Sequence, residues 1–101
     1  MNTSDTLQVA RTIADQIGHR AFVMMGTRMR SGDESSLTFD VRGSAKANRV
    51  KVTLDRATDT YTVECYRVRR VSADLVSSFT GIQSDNLNAC IESATGLRLS
   101  L

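Results

Sequence analysis

Three short segments alternate apolar and polar residues with a period of two, and this alternation constrains the fold more than any other feature of the chain. Residues 36–42 (SLTFDVR) place Leu37, Phe39 and Val41 on one side and Thr38, Asp40 and Arg42 on the other. Residues 49–54 (RVKVTL) oppose Val50, Val52 and Leu54 to Arg49, Lys51 and Thr53. Residues 60–66 (TYTVECY) oppose Tyr61, Val63 and Cys65 to Thr60, Thr62, Glu64 and Tyr66. A period of two is the signature of a strand with one covered and one open face. The connections are too short for parallel crossovers, which take a dozen or more residues, so these strands pair antiparallel. DRATD, at 55–59, reads as the turn of a hairpin between the second and third segments.

Helices supply the cover. Leu7, Ala10, Ile13, Ala14 and Ile17 recur at three and four positions, which predicts an amphipathic helix over 4–17 with Thr3 or Ser4 as cap and Gly18 as left-handed stop. Leu87, Cys90, Ile91 and Ala94 form a second stripe, capped by Ser84 or Asp85 and ended by Thr95-Gly96. The apolar run 21–26 (AFVMMG) reads as a covered strand. The stretch from Ala73 to Thr80 reads as a fifth strand through Leu75, Ser77 and Phe79; a helix over Leu75, Val76 and Phe79 is the alternative, disfavoured by its shortness and by β-branched residues. Residues 28–35 and 43–48 read as the most flexible loops. Leu97, Leu99 and Leu101 alternate in the tail and predict that it packs back on the core. The expected fold class is α+β: an antiparallel sheet of four or five strands with an N-terminal and a C-terminal helix packed on one face.

At 101 residues the chain suffices for one domain over 1–101. Its 41% hydrophobic and 24% charged residues are ordinary for a globular protein. No run of 18 apolar residues exists, so no membrane partner is expected. Asp5, Arg11 and Asp15 interrupt any secretory leader, which points to a cytoplasmic protein. Cys65 and Cys90 then read as core thiols rather than a disulfide. With three Cys and His residues in all, a structural zinc site is excluded and no cofactor is expected. Proline is absent, so the turns rely on Gly, Asn, Asp and Ser.

The residues do not assemble an enzyme. No HExxH, GxSxG or CxxC occurs, and the six glycines form no phosphate-cradling array. The lone His19 follows Gly18 and reads as an aid to the end of the first helix. Asp33, Asp55 and Asp59 read as turn-forming acids. The basic residues are the one anomaly. Residues 28–56 hold seven Lys/Arg against four Asp/Glu, within a chain whose net charge is only +2. Arg28, Arg30, Arg42, Arg49, Lys51, Tyr66, Arg67, Arg69 and Arg70 are therefore the candidate binding patch. A solvated sheet face is the plain reading of these charges; an acidic protein or a nucleic acid is the functional one.

Three stretches carry a resemblance: RAFVMMGTRM after the opening helix, the hairpin NRVKVTLDRATDTYTVECYRV, and the ending GIQSDNLNACIESATGLRLSL. Across them the chain resembles a family of small uncharacterised proteins encoded by bacteriophages, prophages and other mobile elements. DTYTVE at 59–64 and the terminal TGL followed by SL are its sharpest sub-patterns. The resemblance implies a helix-flanked antiparallel sheet and an accessory role, with no catalytic residues to carry over. Its partner would be a host or phage protein, with nucleic acid as the alternative. An open strand edge also suggests a homodimer.

Overall fold

The computed structural model describes residues 8–27, 30–43 and 46–97. Five strands form one antiparallel sheet in the order β1-β2-β3-β4-β5. They are β1 (Arg30–Gly32), β2 (Ser36–Asp40), β3 (Arg49–Asp55), β4 (Thr60–Val68) and β5 (Ala73–Ile82). Three α-helices accompany them among the described residues: α1 (Gln8–Ile17), α2 (His19–Met25) and α3 (Leu87–Thr95), the last preceded by a 3-10 turn at Ser84–Asn86. The protein is thus of the α+β class.

The alternation in β2, β3 and β4 sorts residues as expected. Phe39, Val50, Val52, Val63 and Cys65 are fully buried, whereas Thr38, Lys51, Thr53, Thr62 and Glu64 are half-buried. The register aligns the inward rows: Leu37, Val52, Val63 and half-buried Phe79 in one, Phe39, Val50, Cys65 and half-buried Ser77 in the next. Ile13 and Ile17 of α1, Phe22 and Met25 of α2, and Leu87 and Ile91 of α3 close over these rows in a single apolar cluster. Phe22 meets Phe39 edge-on at 5.2 Å between ring centroids, a geometry that adds about 0.5–1.5 kcal/mol beyond area burial.

The run 21–26 is a helix, not a strand. Ala21, Phe22 and Met25 are buried while Val23 is 63% exposed, so the apolar residues sit at helical spacing, i, i+1 and i+4. Gly26 then ends α2 in the left-handed conformation, φ 63° and ψ 40°. Gly18 does not stop α1 as a left-handed cap. It takes φ 90° and ψ 148°, a backbone open to glycine, and links α1 directly to α2. His19 consequently opens α2 and is exposed, so its expected service to the end of α1 is not what it performs. Asn88 does that instead: its Nδ2 donates to the Ile17 carbonyl at 2.9 Å, satisfying an orphan acceptor at the end of α1.

Residues 28–29 and 44–45 of the two expected loops lie outside the described residues, and the rest of these loops makes regular contacts. Residues 30–32 form β1 against β2, and Asp33 organises the turn that follows. One oxygen of Asp33 accepts from the amides of Ser35 and Ser36 and from the Ser36 hydroxyl, at 2.8–3.0 Å. Within 43–48, Ala47 is fully buried and Asn48 extends the sheet with its side chain. Its Nδ2 donates to the Val68 carbonyl and its Oδ1 accepts from the Val68 amide. Asp55 accepts from the Ala57 amide, as a turn-forming acid should, and Asp59 takes φ 55°. Neither Ser84 nor Asp85 caps α3 through its side chain; both belong to the 3-10 turn, and Asn86 stands at the cap without a side-chain bond. Gly96 ends α3 in the left-handed conformation as expected. Leu97 packs on the core, while the rest of the tail, like Thr3, Ser4 and Leu7, lies outside the described residues. No helix among those described is long and apolar enough to cross a membrane.

Candidate functional site

Pairing across strands sets acidic residues opposite two members of the candidate basic patch. Asp40 stands opposite Arg49, which stands opposite Tyr66; Lys51 stands between Thr38 and Glu64. Arg49 Nε donates to Asp40 Oδ1 at 2.8 Å, and the carboxylate raises the guanidinium's pKa further above its usual range. Burial and then a hydrogen bond to Glu64 push the Tyr66 hydroxyl up, so it stays protonated at neutral pH. The face that alternation assigned to solvent therefore carries opposite charges side by side, an arrangement that favours pairing within the sheet. Arg49 is thus ion-paired with Asp40, and Lys51 stands opposite Glu64 in the register.

The remaining basic residues gather at one end of the sheet. Strand β2 leads there into Arg42, β4 into Arg69 and Arg70, and Lys46 lies in the intervening loop. Arg42, Arg69 and Arg70 are exposed; Arg67 is half-buried, opposite Asp74 on β5. Arg28 and the side chain of Arg30 lie outside the described residues. The opposite end holds Asp33, Glu34, Asp55, Asp59 and Asp85 with Arg56 as the basic exception. The sheet thus has a basic end and an acidic end, a polarity that register and strand direction create and residue counts conceal.

A depression at the basic end, lined by Asp40, Val41, Arg42, Asn48, Arg49 and Val68, encloses about 180 Å³. That is smaller than the roughly 300–1,000 Å³ usual for small-molecule sites. No group of three His, Cys, Asp or Glu among the described residues could hold a metal ion. Cys65 is buried and Cys90 half-buried, both as free thiols. Burial pushes both thiols above their ordinary value, which makes them poor nucleophiles in the folded chain.

Among the described residues, the exposed large apolar side chains other than Val23 lie in the β4–β5 hairpin. Val71 in its turn is 98% exposed, and Leu75 and Val76 on β5 are 55% and 47% exposed. A register shift between Cys65 and Tyr66 produces this arrangement: Leu75 pairs with Tyr66 and Ser77 with Cys65. Leu75 therefore leaves the inward row that Ser77 and Phe79 keep, contrary to the single row expected for the three. β5 is also the outer strand, and one of its sides lacks a strand partner among the described residues. Sequence reasoning named Arg69 and Arg70 in this hairpin but missed Val71, Leu75 and Val76. The available signal was the phase break in VSADLV, where apolar residues fall out of step with any single face. Comparison of the chain with protein-family models, curated proteins and solved structures found no match in any of the three.

Proposed function

We propose that this protein is a non-enzymatic binding module that recognises another protein through its β4–β5 hairpin. The observation that carries this reading is the exposure of Val71, Leu75 and Val76 beside a strand edge that has no strand partner among the described residues. Large apolar side chains grouped on a surface gain from being covered, and a free edge adds directional backbone hydrogen bonds. Arg69 and Arg70 border the group and favour an acidic partner surface. The resemblance to phage and prophage proteins adds a setting: an accessory protein of a mobile element, acting in the cytoplasm on a host or phage protein.

A photo-crosslinking residue at Leu75 and a control at Thr53 test the site in the cells that express the protein. Discrete protein adducts from position 75 and none from position 53 are expected. Equal labelling from both positions, or none from 75, overturns the reading.

Nucleic acid is a second reading, favoured by the gathering of Arg42, Lys46, Arg69 and Arg70 at one sheet end. It predicts salt-dependent association that Arg69→Glu with Arg70→Glu abolishes. Absence of binding to any nucleic acid at low salt eliminates it.

A further inference from the structure

We infer that the free edge of β5 pairs antiparallel with β5 of a second copy, joining two five-stranded sheets into one of ten strands. This rests on the hairpin as a protein-binding surface and names its occupant; a host or phage protein then meets the assembled dimer.

Edge strands in soluble proteins are usually protected by brevity, by proline or by lysine and arginine along the strand. β1, at one margin of the sheet, has three residues. β5, at the other, has ten, Ala73–Ile82, with Asp74 as its sole charge and no proline. Leu75 and Val76 stand exposed on it. Two register shifts against β4 and Gly81 at φ 67° interrupt β5, but its length and its lack of basic residues leave it the more open of the two margins among the described residues.

Charge selects a second copy, and in one orientation. The basic end of the sheet adjoins the start of β5 through the turn containing Arg69 and Arg70. The acidic end adjoins its finish through Asp85. An antiparallel pair related by a twofold axis reverses one copy against the other. With all ten residues overlapped, the axis falls near Ser77 and Ser78. The turn carrying Arg70 then lies across from Asp85 of the second copy, and the same match repeats at the other end. A parallel pairing would instead set basic end against basic end.

Size sets the expected strength. Ten strand residues span roughly 33 Å, and an edge-to-edge interface of that length buries on the order of 1,000 Å² in total, the low end for specific complexes. The dimer should therefore dissociate reversibly, with Kd on the order of micromolar.

Sedimentation equilibrium of the full chain over a concentration series provides the test. The wild-type mass should rise from 11.1 kDa toward twice that value. Leu75→Lys and, separately, Val76→Lys should each weaken association at least about tenfold while circular dichroism stays unchanged. Arg70→Glu and Asp85→Arg should each weaken it severalfold, and the two together should restore it. A single 11.1 kDa species up to about 1 mM overturns the inference, as does a dimer indifferent to all four substitutions. A purified chain that stays monomeric while position 75 still crosslinks a different protein in cells removes the dimer alone. Loss of both signals removes the hairpin site as well.

Discussion

Strands β4 and β5 are neighbours of nearly equal length, nine and ten residues, yet they live in different surroundings. Along β4, Tyr61, Val63 and Cys65 are buried and every other residue is half-buried, with β3 on one side and β5 on the other. Along β5 no residue is buried, and seven of the ten are exposed. The chain spends most of its buried apolar side chains on the centre of the sheet, and β5, which adds half-buried Phe79 and Ile82 to the core, pairs with β4 alone among the described residues. Stability therefore resides in the β2–β4 core and its helices, whereas the capacity to bind another chain resides in the β4–β5 hairpin.

The largest effects should come from the core. Phe39→Ala removes the edge-on partner of Phe22 at a fully buried position and should cost about 3–5 kcal/mol in urea unfolding. Ile91→Ala, on the buried face of α3, should cost about 2–4 kcal/mol by the same measurement. Leu75→Ala in β5 should fall within about 0.5 kcal/mol of wild type at monomeric concentrations. A cost comparable to that of Ile91→Ala would break the contrast.

Asp33→Ala should cost about 1 kcal/mol, because one carboxylate oxygen holds two amides and a hydroxyl of the β1–β2 turn. The Ser35 amide, then the Ser36 hydroxyl, hold this carboxyl below its usual value. Its contribution is present above the ordinary carboxylate pKa of about 4 and is lost as pH falls through the lower folded value. The acid limb of a pH–stability curve should accordingly flatten in Asp33→Asn. At the alkaline side the sign reverses. Burial raises the Cys65 thiol, so its contribution is present below its ordinary value of 9.0 and is lost as pH rises through the folded value. Wild type should therefore lose stability between pH 9.0 and the folded value more steeply than Cys65→Ala.

A small effect is also expected of the Asp40–Arg49 pair on the second face. Both side chains are partly solvated, so a double-mutant cycle should return a coupling under about 1 kcal/mol.

Much of the fold was legible because a period of two needs no partner to be read. Leu37, Phe39, Val50, Val52, Val63 and Cys65 were assigned inward from their own segments, and they are inward. The run from Ala21 to Met25 was misread because a short continuous apolar stretch satisfies strand and helix alike. Only the tertiary setting, with Gly18 and Gly26 bounding it and Val23 left outside, decides for the helix. The candidate site was less legible for a related reason. Alternation tells which face a residue occupies but not what stands opposite it, so Arg49 beside Asp40 and Lys51 beside Glu64 were counted as positive charges. The exposed group on the hairpin depends on the register shift opposite Tyr66, which no single strand displays.

Amide hydrogen exchange resolved along β4 and β5 at several protein concentrations tests the division most directly. β4 amides should be protected to the level of global unfolding at every concentration. The outward-directed amides of Ala73–Ile82 should exchange rapidly in dilute solution and gain protection as concentration rises through the micromolar range. Protection of those amides equal to that of β4 at all concentrations would contradict the account, because the edge would then already be covered within the monomer.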